Sequence, residues 1–232
     1  GYKNYRNEVS EIMHKKRVQY KFILISGHTG TAKTEIIRAL GNLNIQTIDL
    51  EELANHRGSI FGAYLTQQPS QKLFESFLFN KLKSLDNRKP IVLESESNKI
   101  GQVIIPSMIW SVMKESPRIE IQAPLEKRAV YLTKIYKDLI DNQEELQQRI
   151  GYLKVQQGHK KVQEWKDLAN SRKFTELAKD LMFHHYDSRY KNSQKKSSNL
   201  KLPSVEMNTI TERSIFLAAK KISEIINFSA QN

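Results

Sequence analysis

Short apolar runs alternate with amphipathic stretches through the first half of the chain, and amphipathic stretches alone fill most of the second. Lys21-Phe22-Ile23-Leu24-Ile25-Ser26 is a continuous, β-branched run that enters a glycine-containing loop, the pattern of a strand buried on both faces. Residues 35–40 have helical spacing up to Gly41, and residues 45–50 predict a second strand ending in acids. Across 70–85, Leu73, Phe74, Phe77, Leu78, Leu82 and Leu85 recur at intervals of three and four, which makes an amphipathic helix. Residues 90–94 and 118–122 predict a third and a fourth strand, separated by a helix around 108–114. Buried strands alternating with helices imply an α/β fold with a parallel sheet flanked by helices.

Past Pro124 the period becomes helical throughout. Leu132, Ile135, Tyr136, Leu139 and Ile140 share one face, Trp165, Leu168 and Ala169 another, and Phe174, Leu177, Ala178, Leu181 and Met182 a third. This predicts an α-helical subdomain appended to the α/β core. Residues 188–201 are Ser/Asn-rich, with Arg189, Lys191, Lys195, Lys196 and Lys201 and no acid, which predicts a solvated linker or a nucleic-acid contact. Residues 202–207 suggest a late strand, followed by a final helix. The expected organisation is therefore a charged helical lead-in at 1–20, an α/β core at 21–125, a helical subdomain with its basic linker at 126–200, and a strand and helix returning to the core at 201–232.

Charge narrows the class of partner. The 232 residues carry 37 Lys and Arg against 25 Asp and Glu, a formal charge of +12, which suits a polyanion such as RNA, DNA or anionic lipid and equally a lysine-rich proteome. Residues 126–200 hold 16 basic and 10 acidic side chains, so part of the excess lies in the helical segment. The sequence has no cysteine. That excludes disulfides, thiolate metal ligands and thiolate nucleophiles of this chain, and it fits a cytoplasmic protein. No run is long and apolar enough to cross a bilayer, so no membrane partner is expected. The chain starts at Gly1 rather than Met, which suggests a piece of something longer, with 1–20 leading in from an absent N-terminal domain.

The strongest chemical signal is Gly27-His28-Thr29-Gly30-Thr31-Ala32-Lys33-Thr34, placed after a strand and opening a helix. It follows the phosphate-loop pattern G-x-x-x-x-G-K-[ST], with Ala32 at the second glycine position. Such a loop cradles phosphates with backbone N–H groups and a helix N-terminus, its lysine reaches the outer phosphates, and its hydroxyl sits on Mg²⁺. The fold expected is thus P-loop NTPase-like, with a phosphate or diphosphate ligand; a nucleotide is not implied by the loop itself. Ala32 is strained only if the backbone there requires positive φ. Glu94 and Glu96, at the end of the third strand, are candidates for holding a metal with Thr34 or for taking a proton, and a polar strand end is the alternative.

The segment 49–62, Asp-Leu-Glu-Glu-Leu-Ala-Asn-His-Arg-Gly-Ser-Ile-Phe-Gly, resembles the D-L-E-x-L-A-x-H-R-G-S-x-F-G signature of tRNA 2-selenouridine synthases. Gln71 to Glu75 resembles that family's Q-x-x-F-E, residues 94–101 its E-x-E-S-x-x-I-G, and residues 185–190 its H-Y-D-P-x-Y, with Ser188 in place of Pro. Residues 1–6 resemble the junction after the family's rhodanese-like domain. The resemblance implies modification of the wobble 2-thiouridine of certain tRNAs: S-alkylation by geranyl diphosphate, then displacement by selenium from selenophosphate. The selenium step is assigned to a cysteine of the rhodanese-like domain, absent here, so a partner domain is expected and only the geranyl transfer is expected from this chain. Lys33, Thr34 and the loop N–H groups would neutralise the leaving diphosphate, with Mg²⁺ possible. Arg57 could clasp a phosphate bidentately and His56 could do the same or handle a proton. Phe61, Tyr64, Phe74 and Phe77 are candidates for an apolar groove, although periodicity favours ordinary helix core for them. For tRNA, Arg57, Arg189, Tyr190, Lys191, Lys195 and Lys196 are the candidate contacts, with Tyr152, Trp165 and Tyr186 as further stacking candidates. A P-loop kinase or NTPase and a non-catalytic tRNA-docking module are the rival readings.

Overall fold

The computed structural model describes residues 1–15, 19–64, 66–94, 97–194 and 201–231. Five strands form one parallel sheet: β1 (Phe22–Gly27), β2 (Gln46–Ile48), β3 (Ile91–Glu94), β6 (Arg118–Gln122) and β7 (Val205–Glu206) stand in the order β2-β3-β1-β6-β7. Between β3 and β6 lies a small antiparallel hairpin, β4 (Lys99–Ile100) with β5 (Val103–Ile104). The chain leaves β1 toward one edge and later returns to its other side at β6. The C-terminal end of β1 is therefore the switch point at which an open parallel sheet presents its ligand crevice.

Both faces of the sheet are covered, which is why the strands read as unbroken apolar runs. Phe22, Leu24, Ile48, Ile91 and Leu93 point to one side, into a core with α4 (Gln71–Lys83) and α5 (Ser107–Glu115). Ile23, Ile25, Val92, Ile119 and Ile121 point to the other, against α2 (Lys33–Asn42) and α12 (Glu212–Gln231). The one-residue alternation along each strand decides which layer each side chain joins. Residues 1–15 are more than a lead-in: α1 (Tyr2–Ser10) and the π-helical turn Glu11–Lys15 bury Val9 and Met13 in the first of these cores. Arg6 and His14 both reach the carboxylate of Glu75, at 3.0 and 3.1 Å. That pairing, with Gln71 added, is what the Gln71–Glu75 element does.

Two elements depart from the sequence pattern. The second strand stops at Ile48, because Asp49 accepts a hydrogen bond from Glu52 N and so caps the short helix α3 (Leu50–Leu53). The basic linker expected from residue 188 begins as helix: α11 (Asp187–Gln194) continues from the π-turn Met182–Tyr186, and residues 195–200 lie outside the described ones. The late strand is present as β7, paired to β6.

The helical part is built from α6 (Leu125–Ile135), α7 (Lys137–Asp141), α8 (Gln143–Gly151), α9 (Lys154–Asn170) and α10 (Phe174–Leu181). It has its own core of Leu146, Ile150, Leu153, Val162, Trp165, Leu177 and Leu181. Trp165 is fully buried and donates Nε1–H to Asp180 at 2.6 Å. The same core takes in Phe61, from the loop after α3, so a residue of the α/β half plugs the helical half. Among the described residues no helix is long and apolar enough to cross a membrane.

Candidate functional site

The phosphate loop sits at the C-terminal end of β1 and opens α2. Gly30 has φ +83°, and a Cβ there would meet Arg128 and Leu132 of α6 at 3.0–3.2 Å, so glycine is what allows the helical part to press on the loop. Ala32 has φ 60° and ψ 35°, in the left-handed region. The glycine position of the pattern thus does need positive φ, and alanine carries about 1–2 kcal/mol of strain there. Ala32→Gly is expected to raise stability by about 0.5–1 kcal/mol after glycine's entropic cost, read as a melting point about 1–4 °C higher. An unchanged or lower melting point would refute the strain.

Lys33 folds back over the loop, donating from Nζ to the carbonyls of Gly27 at 3.0 Å and His28 at 3.4 Å. Thr34 Oγ1 donates to Glu51 Oε2 at 3.1 Å. Glu51 N in turn donates to Glu94 Oε1 at 2.9 Å, while Glu94 Oε2 is buried without a hydrogen-bond partner. Burial, then the nearby Asp49 and Glu51 carboxylates, push the Glu94 carboxyl well above the ordinary carboxylate range. The pair expected to hold a metal, Thr34 and Glu94, is therefore connected through Glu51, a residue the sequence reading passed over. Glu51 stands close because Gly58 leaves room for its carboxylate. Glu96 lies outside the described residues.

A cavity of about 430 Å³ lies over the loop, lined by residues 29–35 together with Arg38, Glu51, Arg57, Ser59, Tyr64, Tyr131, Tyr136 and Tyr186. Arg57 reaches it with its fork engaged: it pairs with Asp138 at 3.1 and 2.9 Å and lies over the rings of Tyr64 and Tyr136 at 4.5 and 5.0 Å. His56 does not line this cavity. It is buried, its Nδ1 accepts Gly58 N–H at 3.0 Å, and burial followed by Arg149 and Arg57 lowers its pKa, so it stays neutral. The phosphate clasp expected of His56 is not what its geometry provides; it shapes the turn that aims Arg57.

Three further ties hold the helical part to the site. Arg149 donates to the carbonyls of Phe61 and Ala63, the latter at 3.1 Å. Ser59 Oγ and Tyr136 Oη share a hydrogen bond at 2.9 Å. Arg128, buried, pairs bidentately with Asp187 at 3.1 and 2.9 Å and donates to the Thr29 carbonyl at 3.0 Å. Asp187 Oδ1 also lies 3.1 Å from His28 Nδ1. Burial opposes ionisation of Asp187, but hydrogen bonds from His28 and Arg128 outweigh it and hold its pKa at about 2. None of Arg128, Asp187 or Arg149 was singled out from the sequence; the one usable signal was Asp187, within the 185–190 motif.

Thr29, Ser59, Leu132, Tyr136 and Tyr186 also line a second, apolar cavity of about 80 Å³ on the side of the helical part. Its walls include Phe61, Leu139, Ile140, Leu146, Phe174 and Leu177. Of the groove candidates, Phe61 lines this cavity and Tyr64 the phosphate cavity. Phe74 is sheet core, and Phe77 borders a separate surface groove beside Leu73. The stacking candidates divide likewise. Trp165 is core and Tyr186 lines both cavities. Tyr190 packs on His28, ring centroids 4.4 Å apart, and donates to Glu120 at 3.1 Å. Tyr152 and Arg189 are exposed; Lys191 lies on α11, and Lys195 and Lys196 lie outside the described residues.

Residues 20–164 match the family model described as the tRNA 2-selenouridine synthase AAA domain. The chain belongs to this family. Among curated relatives described as tRNA 2-selenouridine synthase, it is 37% identical to that of Sulfurovum sp. over 130 residues, 55% of this chain and 35% of the relative. It is 36% identical to that of Marinobacter nauticus over 138 residues, 59% and 36% of the two chains, and 41% identical to that of Chromohalobacter salexigens over 119 residues, 51% and 30%. The matched region spans about a third of those relatives' length. It contains the phosphate loop, the His56-Arg57-Gly58-Ser59 turn, Glu94 and Arg128, and it ends before Tyr186 and Asp187.

Proposed function

We propose that this chain carries the prenyl-transfer half of a tRNA-modifying enzyme: it binds geranyl diphosphate and moves the geranyl group to the sulfur of a 2-thiouridine in tRNA. The observation that carries the reading is the adjacency of two unlike cavities that share five lining residues. A phosphate-loop cavity alone suits any nucleotide or metabolite. Here it adjoins, across five shared lining residues, a pocket walled by Leu, Ile and Phe, an arrangement that suits a ligand with an anionic head and a hydrocarbon tail. A water needs about 10–15 Å³ of such space, so the pocket takes a short branched hydrocarbon segment.

Thiocarbonyl sulfur is a good nucleophile and an allylic carbon a good electrophile, so the demand on the protein is to stabilise charge on the departing diphosphate. Lys33, the loop N–H groups and the N-terminus of α2 face that charge. Thr34 and Glu51 offer hard oxygen ligands in the cavity and would hold a Mg²⁺ ion, with Glu94 behind them; the ion would add further neutralisation of the diphosphate. For tRNA, the start of α9 supports an interface. Tyr152, Lys154 and Lys160 are exposed at or just before this end of α9, Phe183 is exposed on the π-turn Met182–Tyr186, and Arg189 of α11 is held by Gln156 of α9 at 2.7 Å. Exposed rings next to cations suit unstacked bases and their phosphates. Selenium exchange from selenophosphate is assigned, in this reading, to a rhodanese-like partner domain with its cysteine.

The test is incubation with 2-thiouridine tRNA and geranyl diphosphate, followed by mass spectrometry of the nucleosides. S-geranyl-2-thiouridine is expected, and selenouridine is not unless a rhodanese-like domain is added. Leu177→Trp, which fills the apolar pocket, is expected to weaken geranyl diphosphate binding about 30-fold, the worth of two or three buried methylenes, and to leave inorganic pyrophosphate binding unchanged. ATP turnover without any geranylated nucleoside would overturn the reading in favour of a P-loop kinase or NTPase.

A further inference from the structure

The phosphate loop accounts for the head of such a ligand and the apolar pocket for its tail, but the bond that must break lies between them. A molecule that occupies both cavities would place its ester oxygen among the five residues that line both. Four of these five, Thr29, Ser59, Tyr136 and Tyr186, carry hydroxyls. Ser59 Oγ accepts Phe61 N–H at 3.2 Å and is hydrogen-bonded to Tyr136 Oη at 2.9 Å. Tyr186 Oη is buried next to Ser59 and the Ile60 backbone, which are near enough to act on it, yet it makes no hydrogen bond of normal geometry. Leaving a buried hydroxyl unsatisfied costs about 1–3 kcal/mol, which an acceptor atom on a ligand would remove. Burial pushes the Tyr136 hydroxyl up to about 12 and the Tyr186 hydroxyl further, so both keep their protons at neutral pH and remain donors.

Resting on the function proposed above, we infer that Tyr186, oriented by the Ser59–Tyr136 pair, is a catalytic hydrogen-bond donor to the bridging oxygen of the prenyl diphosphate. As the thiocarbonyl sulfur forms its bond to C1, the C1–O bond breaks and its electron pair leaves with the bridging oxygen. The N3 proton of the thiouridine is lost and is taken up by the released diphosphate, so charge and atoms balance without a further reagent. Tyr186 keeps its proton throughout; it stabilises charge that grows on one oxygen.

The experiment compares single-turnover transfer from geranyl diphosphate with transfer from the analogue whose bridging oxygen is sulfur, a weak acceptor. Tyr186→Phe is expected to slow the oxygen ester about 100-fold at saturating geranyl diphosphate, while binding of pyrophosphate, which lacks the ester oxygen, stays within about twofold. With the sulfur-bridged ester the deficit is expected to shrink to about threefold, because little hydrogen bond is there to lose. Ser59→Ala, which disturbs only the orientation, is expected to show the same selectivity with a smaller loss, and it serves if Tyr186→Phe fails to fold. An equal deficit on both esters would make the hydroxyl merely structural and overturn the inference, as would an unimpaired Tyr186→Phe. Absence of transfer by the unaltered chain would instead overturn the functional reading, and this inference with it.

Discussion

Under the proposed function, Lys33→Ala is expected to cut geranyl transfer by at least about 100-fold and to weaken pyrophosphate binding by about 10- to 100-fold. Lys33 opens α2, and its ammonium is drawn over the rim of the loop by the Gly27 and His28 carbonyls, at 3.0 and 3.4 Å. A diphosphate in the cavity is a far stronger acceptor than either carbonyl, and a charge-assisted bond to it contributes about 1.5–3 kcal/mol. More of that is felt as the ester bond breaks, since the charge on the phosphate grows. Arg57 lines the same cavity, which is why some binding should survive. Calorimetry with pyrophosphate and single-turnover nucleoside analysis separate the two losses. Transfer at the unaltered rate would mean that the ligand's charge sits elsewhere. ATP hydrolysis is worth measuring alongside, because the same substitution would abolish it in a kinase or NTPase.

Lys33 stands out as a candidate in the sequence because the groups that would make it a site are its neighbours in the chain. A buried strand, a turn and a helix within thirteen residues, 22–34, fix both the loop and the lysine's direction. The sheet was readable for the same reason: each strand's two-residue alternation feeds two packed layers, so Phe22 and Leu24 go one way and Ile23 and Ile25 the other. What stayed hidden depends on contacts between distant positions. Glu51 becomes a cavity residue through Thr34, seventeen positions away, and through a glycine at 58 that lets its carboxylate approach. Arg149 grips the carbonyls of residues 61 and 63, a purely backbone interaction with no residue pattern to announce it. His56 and Arg57 read alike in the sequence, as a His-Arg pair after a strand. Burial then separates them, leaving one neutral inside the turn and the other charged at the cavity wall. The apolar pocket was sought among the aromatic residues of the α/β half and found mostly among aliphatic residues of the helical half, because pocket walls are made wherever two cores meet imperfectly.

The clamp between the halves yields the second large effect. Arg128→Ala is expected to lower stability by about 3 kcal/mol, since it leaves the Asp187 carboxylate partly buried without its main partner. Asp187 is partly exposed, with a side chain 17% accessible, which places the loss at the lower end of the range for broken buried pairs. Replacing both partners by apolar residues, Arg128→Met with Asp187→Leu, is expected to recover much of it, because no charge is then left unpaired. The pair also gives the protein an acid-sensitive component. The folded pKa of Asp187, about 2, lies below the ordinary value near 3.9, so the carboxylate adds stability that is fully present above about pH 4 and drains away as pH falls toward 2. Asp187→Asn should remove that component and flatten urea-unfolding free energies over this interval relative to the unaltered chain. An equal slope in both proteins would show that other carboxylates carry the acid sensitivity. Because Arg128 also holds the Thr29 carbonyl and Asp187 holds His28, a protein cooled enough to fold without the clamp should still bind pyrophosphate more weakly. Loss of stability with undiminished pyrophosphate affinity would separate the clamp from the phosphate loop, and would place its effect in the packing of the two halves alone.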